Sequence, residues 1–125
     1  MAGRIEQGAA LVLKLAAALE VAGLDKALAT LDAAHVASGS RYGVLVVSPG
    51  TLTFEDWGEP SMAWEVHVIA GPANDYLAAW DKIDAMIQAL VVAQINLRSG
   101  EPGQFQPLVG EPLPAYTLTL NPLDI

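Results

Sequence analysis

The sequence predicts an α+β domain in which two helices pack on one face of a small, mainly antiparallel sheet. Three observations carry this. An Ala- and Leu-rich stretch with three-and-four apolar spacing opens the chain, β-branched and alternating runs fill its middle, and a second helical stripe precedes a last alternating run. The 125 residues allow one compact domain, 1–125, with a sizeable core.

The first helix is predicted from Ile5 to Ala22, with Ile5, Ala9, Val12, Leu15 or Ala16, and Leu19 on one face and Gly23 as its C-terminal stop. Leu11, Leu13 and Ala18 widen that face, as expected of a helix touching a sheet on one side and a neighbour on the other. Leu24 to Ala37 permits either a second helix or an irregular connection. Val44 to Val47 is a β-rich run, Ser48-Pro49-Gly50 a turn, and Thr51 to Phe54 an alternating strand, followed by a loop from Glu55 to Ser61. In the strand Met62 to Ala70, alternation puts Met62, Trp64, Val66 and Val68 on one face and Ala63, Glu65, His67 and Ile69 on the other. Gly71-Pro72 ends it, and Asn74 is the expected N-cap of a second helix running to about Ala93. That helix carries the stripe Tyr76, Trp80, Ile83, Ile87, Leu90, Val91. Ile95 to Val109, punctuated by Gly100, Pro102, Gly103 and Pro107, reads as a long excursion with short extended pieces such as Ile95 to Arg98. Ala115 to Leu120 is the last strand, and Asn121-Pro122 ends it. A single-layer sheet of this kind leaves its second face needing a partner.

Charge and composition narrow the function. AVILMFWYC make up 53% of the chain, or about 62% with glycine included, against about 45–50% for a typical globular protein. The excess excludes disorder and points to buried subunit contacts. Six basic against 14 acidic residues give a net charge of −8, the wrong sign for a protein that holds nucleic acid by neutralising phosphates. Without cysteine there is no disulfide scaffold, thiol nucleophile or Cys-ligated zinc. Glu6, Lys14 and Glu20 interrupt the N-terminal apolar run, so it reads as a structural helix and not an export signal. No run reaches the roughly 18–20 apolar residues of a membrane span, so no membrane partner is expected.

Residues that could carry chemistry are few. Gly71-Pro72-Ala73-Asn74 lacks the spacing and the lysine of a phosphate loop. His35 and His67 are the two histidines, and Glu65 and His67 share a strand face, which makes them the best acid–base pair available. Asp75, Asp81 and Asp84 describe the charged outer side of the second helix rather than a metal site. Trp64 and Trp80 fall on apolar faces, whereas Trp57 stands among Glu55, Asp56 and Glu59. There it either folds back over its hairpin or serves as a contact residue.

One pattern emerges from the ordered segments. A Val-rich strand leads through Pro49-Gly50 into Thr51-Leu52-Thr53-Phe54-Glu55. Then come Trp64-Glu65-Val66-His67-Val68-Ile69-Ala70-Gly71-Pro72, a helix, and Pro114-Ala115-Tyr116-Thr117-Leu118-Thr119-Leu120. In order and spacing these resemble the tail terminator proteins of long-tailed (siphovirus-type) bacteriophages, of the actinobacterial phage type. The resemblance covers nearly the whole chain apart from Gly23 to Tyr42, where the family pattern is not matched.

The resemblance implies a homo-oligomer, usually a hexameric ring, on the head-proximal end of the tail tube. Such a ring ends tube polymerisation and joins the tail to the head connector. Its partners are the major tail tube protein and the head-closure or connector protein, and DNA passes through the lumen without specific binding. The location is the virion tail or neck, and the host cytoplasm during assembly. The resemblance implies no enzyme, catalytic residue, metal or cofactor. Two contact regions are expected: the hairpin loop with Glu55, Asp56, Trp57 and Glu59, and a flexible arm from Gln104 to Leu113 that begins with Gln104, Phe105 and Gln106. The charge of −8 suits a DNA passage, since negative walls repel phosphates. The alternatives are a head-closure or connector ring protein of the same neck, a small enzyme or metal-binding domain using Glu65 and His67, and a generic protein-binding homo-oligomer.

Overall fold

The computed structural model describes residues 4–24, 26–31, 42–49, 52–53, 61–71, 75–105 and 112–121. They form helix α1 (Arg4–Val21), strands β1 (Leu28–Thr30), β2 (Val44–Ser48), β3 (Leu52–Thr53), β4 (Ser61–Met62) and β5 (Glu65–Ile69), helix α2 (Tyr76–Val92), and strands β6 (Leu97–Phe105) and β7 (Leu113–Leu120). Five strands make one sheet in the order β1-β2-β5-β7-β6, and β3 and β4 make a separate antiparallel pair. Only the β1–β2 pairing in the main sheet is parallel. The fold is α+β, with both helices on one face of a mostly antiparallel sheet, as the sequence predicts.

The core lies between that face and the helices. Leu11, Leu15, Ala18 and Leu19 of α1 and Ala79, Ile83, Met86 and Leu90 of α2 pack against Leu45, Val47, Val66, Val68, Leu118 and Leu120. The alternation read from Met62 to Ala70 holds from Trp64 onward, with Trp64, Val66 and Val68 buried towards the helices. The single strand expected there is, however, broken at Ala63–Trp64: Ser61–Met62 pairs with Leu52–Thr53, and Glu65–Ile69 joins the main sheet. Gly8 permits the close approach of α1, because a methyl group there would come within 2.9 Å of Trp64 Cη2. In α2 the buried stripe includes Ala79 and Met86, which turns the expected stripe far enough to leave Val91 exposed. Small Ala79 lets the helix settle onto the sheet at that phase. Trp80, partly buried, meets Tyr116 edge-on at 5.7 Å, and Lys82 Nζ donates to the Gly71 carbonyl at 2.9 Å.

Four further expectations are corrected. Within the segment after α1, left open between a helix and an irregular connection, Leu28–Thr30 is a strand that pairs with Val44–Val46; residues 25 and 32–37 lie outside the described residues. Three residues are too few to show a period, so pairing alone defines that strand. The N-cap of α2 is Asp75 rather than Asn74: its Oδ1 accepts from the Ala78 amide at 3.2 Å. Within the excursion after α2, Leu97–Phe105 is a nine-residue strand, β6, despite Gly100, Pro102 and Gly103; residues 106–109 lie outside the described residues. An edge strand bonds on one side only, which is where proline is tolerated, and Gly100 sits where a side chain would strike Leu118 Cδ2 at 2.7 Å. Finally, the second sheet face is not wholly left bare. Val44, Val46, Ile69, Leu113 and Ala115 form a second cluster, buried within the chain itself.

Both helices end in the same manner. Leu24 N bonds Leu19 O and Gly23 N bonds Glu20 O after α1, while Ile95 N bonds Leu90 O and Gln94 N bonds Val91 O after α2. Gly23 (φ +81°) and Gln94 (φ +61°) take the left-handed position that closes each motif. A side chain there costs about 1 kcal/mol or more, so Gln94→Gly is expected to stabilise the fold by about 0.5–1 kcal/mol. Thermal unfolding checks this: a midpoint raised by roughly 2–5 °C is expected, and a lowered one would contradict it.

Candidate functional site

The sequence features that could act are distributed over three places. On the helix-free face, His67 lies between β2 and β7. One ring nitrogen, Nε2, is 3.0 Å from Ser48 Oγ and the other, Nδ1, is 3.1 Å from Thr117 Oγ1. A neutral imidazole donates once and accepts once, and a hydroxyl can do either, so both nitrogens are satisfied in either tautomer. These partners are hydroxyls and not Glu65, which pairs in register with Ser48 and Thr119. The Ser48–His67 distance is that of a nucleophile and its base, but Thr117 carries no charge to stabilise an imidazolium. Ser48 also stands on a strand of an internal ladder, whose amides are committed to pairing rather than to an oxyanion. The triplet ties three strands together. Alternation marked His67 as outward-facing, whereas Ser48 and Thr117 became its partners only through strand register.

The predicted contact loops have separate fates. Glu55, Asp56, Trp57 and Glu59 lie outside the described residues, as does Gln106. Gln104 and Phe105 are the last residues of β6, in register with Pro114 and Leu113, so the arm does not begin there. Phe105 packs against the second apolar cluster. Among the described residues no group of three or more His, Cys, Asp or Glu is placed to hold a metal ion, and no helix is long and apolar enough to cross a membrane.

The third place is the outward side of the helix layer. Between α1 and α2 runs an open groove of about 700 Å³, walled by Ala17, Ala18, Val21 and Ala22 on one side and Ala85, Ala89, Val92 and Ala93 on the other. Leu24 and Ile95, the apolar residues that follow the two helix caps, also line it. Lys14 is its one charged lining residue. Val21 and Val92 on its rims are 85% and 68% exposed, and Leu13 and Leu77 beyond them are 73% and 81% exposed. Exposed apolar residues scattered singly are ordinary; what sets this place apart is that Val21 and Val92 flank one largely apolar groove. The sequence signal for it was the apolar face of the first helix, too wide for one stripe.

Comparison with protein-family models, with curated proteins and with solved structures finds no match to this chain.

Proposed function

We propose that the chain is a structural subunit of a ring that caps the head-proximal end of a phage tail tube, ends tube polymerisation and joins the tail to the head connector. The observation that carries this reading is the set of leucines and valines left exposed on both helices, among the exposed Glu6, Lys14, Glu20, Asp81 and Asp84, on a chain of net charge −8. An acidic protein that leaves leucine and valine in water along both helices has a surface suited to burial against protein. The element order and the segments that resemble tail terminators supply the kind of assembly. In this reading the chain has no catalytic residue or cofactor, its copies form a hexamer, and the acidic surface repels DNA in the lumen.

The test is capping. Purified protein added to polymerising tail tube protein should shorten the tubes and appear as a ring on one end in electron micrographs. Tubes of unchanged length with bare ends would refute the reading, and a ring found only on the head connector would favour the head-closure alternative. Trp57→Ala should weaken docking to the tube by at least about 2 kcal/mol, a roughly thirty-fold loss, if the acidic hairpin is a contact. Unchanged capping by that variant would remove Trp57 from the interface.

A further inference from the structure

We infer that the groove between α1 and α2 is a binding site for a single-chain amphiphile with an anionic head, a medium-chain fatty acid. The inference stands on the groove's shape, its one charge and one backbone conformation, and it goes beyond the ring reading without depending on it. Volume comes first. About 700 Å³ falls inside the range of about 300–1,000 Å³ typical of small-ligand sites, and clefts between packed helices are a common place for them. Small side chains make the hollow: Ala18 and Ala89 are buried and form its floor, and Ala17 and Ala85 stand on its walls. Those walls run from Lys14 to Val21 on α1 and from Ala85 to Val92 on α2, seven residues each, about 10 Å of helix. A slot of that length takes a straight alkyl chain of roughly eight to ten carbons.

Charge selects the head. Lys14 is the one charged lining residue, and no acid lines the groove although the chain holds 14 Asp and Glu. One turn to either side of Lys14 on α1 stand Ala10, Leu11, Ala17 and Ala18, so no carboxylate of its own helix neutralises the ammonium. Among the described residues its Nζ makes no ion pair or hydrogen bond. An unneutralised cation beside an apolar slot is complementary to a carboxylate at the end of an alkyl chain. A neutral alcohol forgoes the ion pair, and an ammonium head is repelled.

Gln94 supplies an independent sign. The turn that closes α1 has glycine at its left-handed position, whereas the matching turn after α2 has Gln94 there (φ +61°), the one non-glycine residue at positive φ among the described residues. Strain kept where glycine would relieve it points to a side chain in use. Gln94 lines the groove, and with Gln88 it brings amide donors for a carboxylate from the α2 side.

Equilibrium dialysis of the full chain against radiolabelled decanoate, decanol or decyltrimethylammonium tests the site, with circular dichroism as the check on folding. Decanoate should bind with a Kd of about 10–100 µM, at least about fivefold tighter than decanol, and decyltrimethylammonium more weakly than either. Lys14→Met keeps the stem and removes the charge, so it should weaken decanoate by about five- to tenfold and leave decanol unchanged. Gln94→Gly should weaken decanoate by about threefold while raising the unfolding midpoint, a combination that a purely structural glutamine would not give. Ala85→Phe, at an exposed lining position, fills the slot and should abolish the binding of both. Val21→Glu, at a rim residue 85% exposed, sets a carboxylate against the ligand and should also lose decanoate, which serves where Ala85→Phe fails to fold. Equal affinity for decanoate and decanol, or a Lys14→Met variant indistinguishable from the wild type, would overturn the inference. So would decanoate retained by Ala85→Phe and Val21→Glu, or no binding up to about 1 mM. None of these outcomes touches tube capping, which decides the ring reading separately.

Discussion

Trp64→Ala is expected to cost about 3–5 kcal/mol, the range for deleting a large buried aromatic side chain. Trp64 is 3% exposed and forms part of the main core. Its ring supports α1 directly under Gly8, where the space above Cη2 admits no more than a hydrogen. Removing the ring leaves a cavity that α1 cannot fill by sliding, because Leu11, Leu15 and Leu19 hold it to the rest of the sheet. Since a domain of this size is stable by about 5–15 kcal/mol, the variant should be marginal. Chemical denaturation is the measurement, with an unchanged slope and a midpoint lowered in proportion. A loss below about 1 kcal/mol would show that α1 does not rest on this ring.

Gly43→Ala is the second large effect, expected at about 2–4 kcal/mol from two sources that add. Gly43 precedes β2 at φ +105°, a backbone conformation that side chains rarely adopt. A methyl group there would also lie 2.6 Å from the Met86 Sδ and Cε atoms, on a side chain 1% exposed. Met86→Ala separates the two. Alone it should cost about 2–5 kcal/mol through its cavity, but combined with Gly43→Ala it should cost less than the sum, because the new methyl enters the vacated space. Strict additivity would mean that the glycine is required by the backbone alone. The position matters beyond local strain, since the Gly43 carbonyl accepts from the Leu28 amide at 3.0 Å and so fixes the start of the parallel edge strand.

The candidate surface was only partly legible in the sequence. The excess width of the first helix's apolar face was visible, and Leu13 stood out within it. That Ala17 and Val21 turn to the groove and not to the sheet depends on which side of α1 the sheet occupies, and many alanines serve either side equally well. The groove needs both helices in place before it exists. The His67 triplet is similar: period two gave the face of His67, but Ser48 and Thr117 lie 19 and 50 residues away and meet it only through register.

Local periodicity by itself determined both helices, the strand Val44–Ser48, the last strand and the α+β class, because each of those signals spans enough residues to fix a face, whereas the break between Ser61–Met62 and Glu65–Ile69 came only from pairing. It also settled the sign of the charge and the absence of thiol chemistry. Tertiary structure alone decided the rest. Leu28–Thr30 is a strand because Val44–Val46 lies beside it, and β6 is a strand because β7 offers it an edge on which Gly100 and Pro102 are permitted. One end of the second face is buried, at Val44, Val46, Ile69, Leu113 and Ala115, while Ser48, Glu65, His67 and Thr117 stay partly exposed and leucines and valines of the helix layer stand in water. The physical reason is common to all of these. Hydrogen-bond pairing and burial are relations between distant segments, and no window of neighbouring residues contains them.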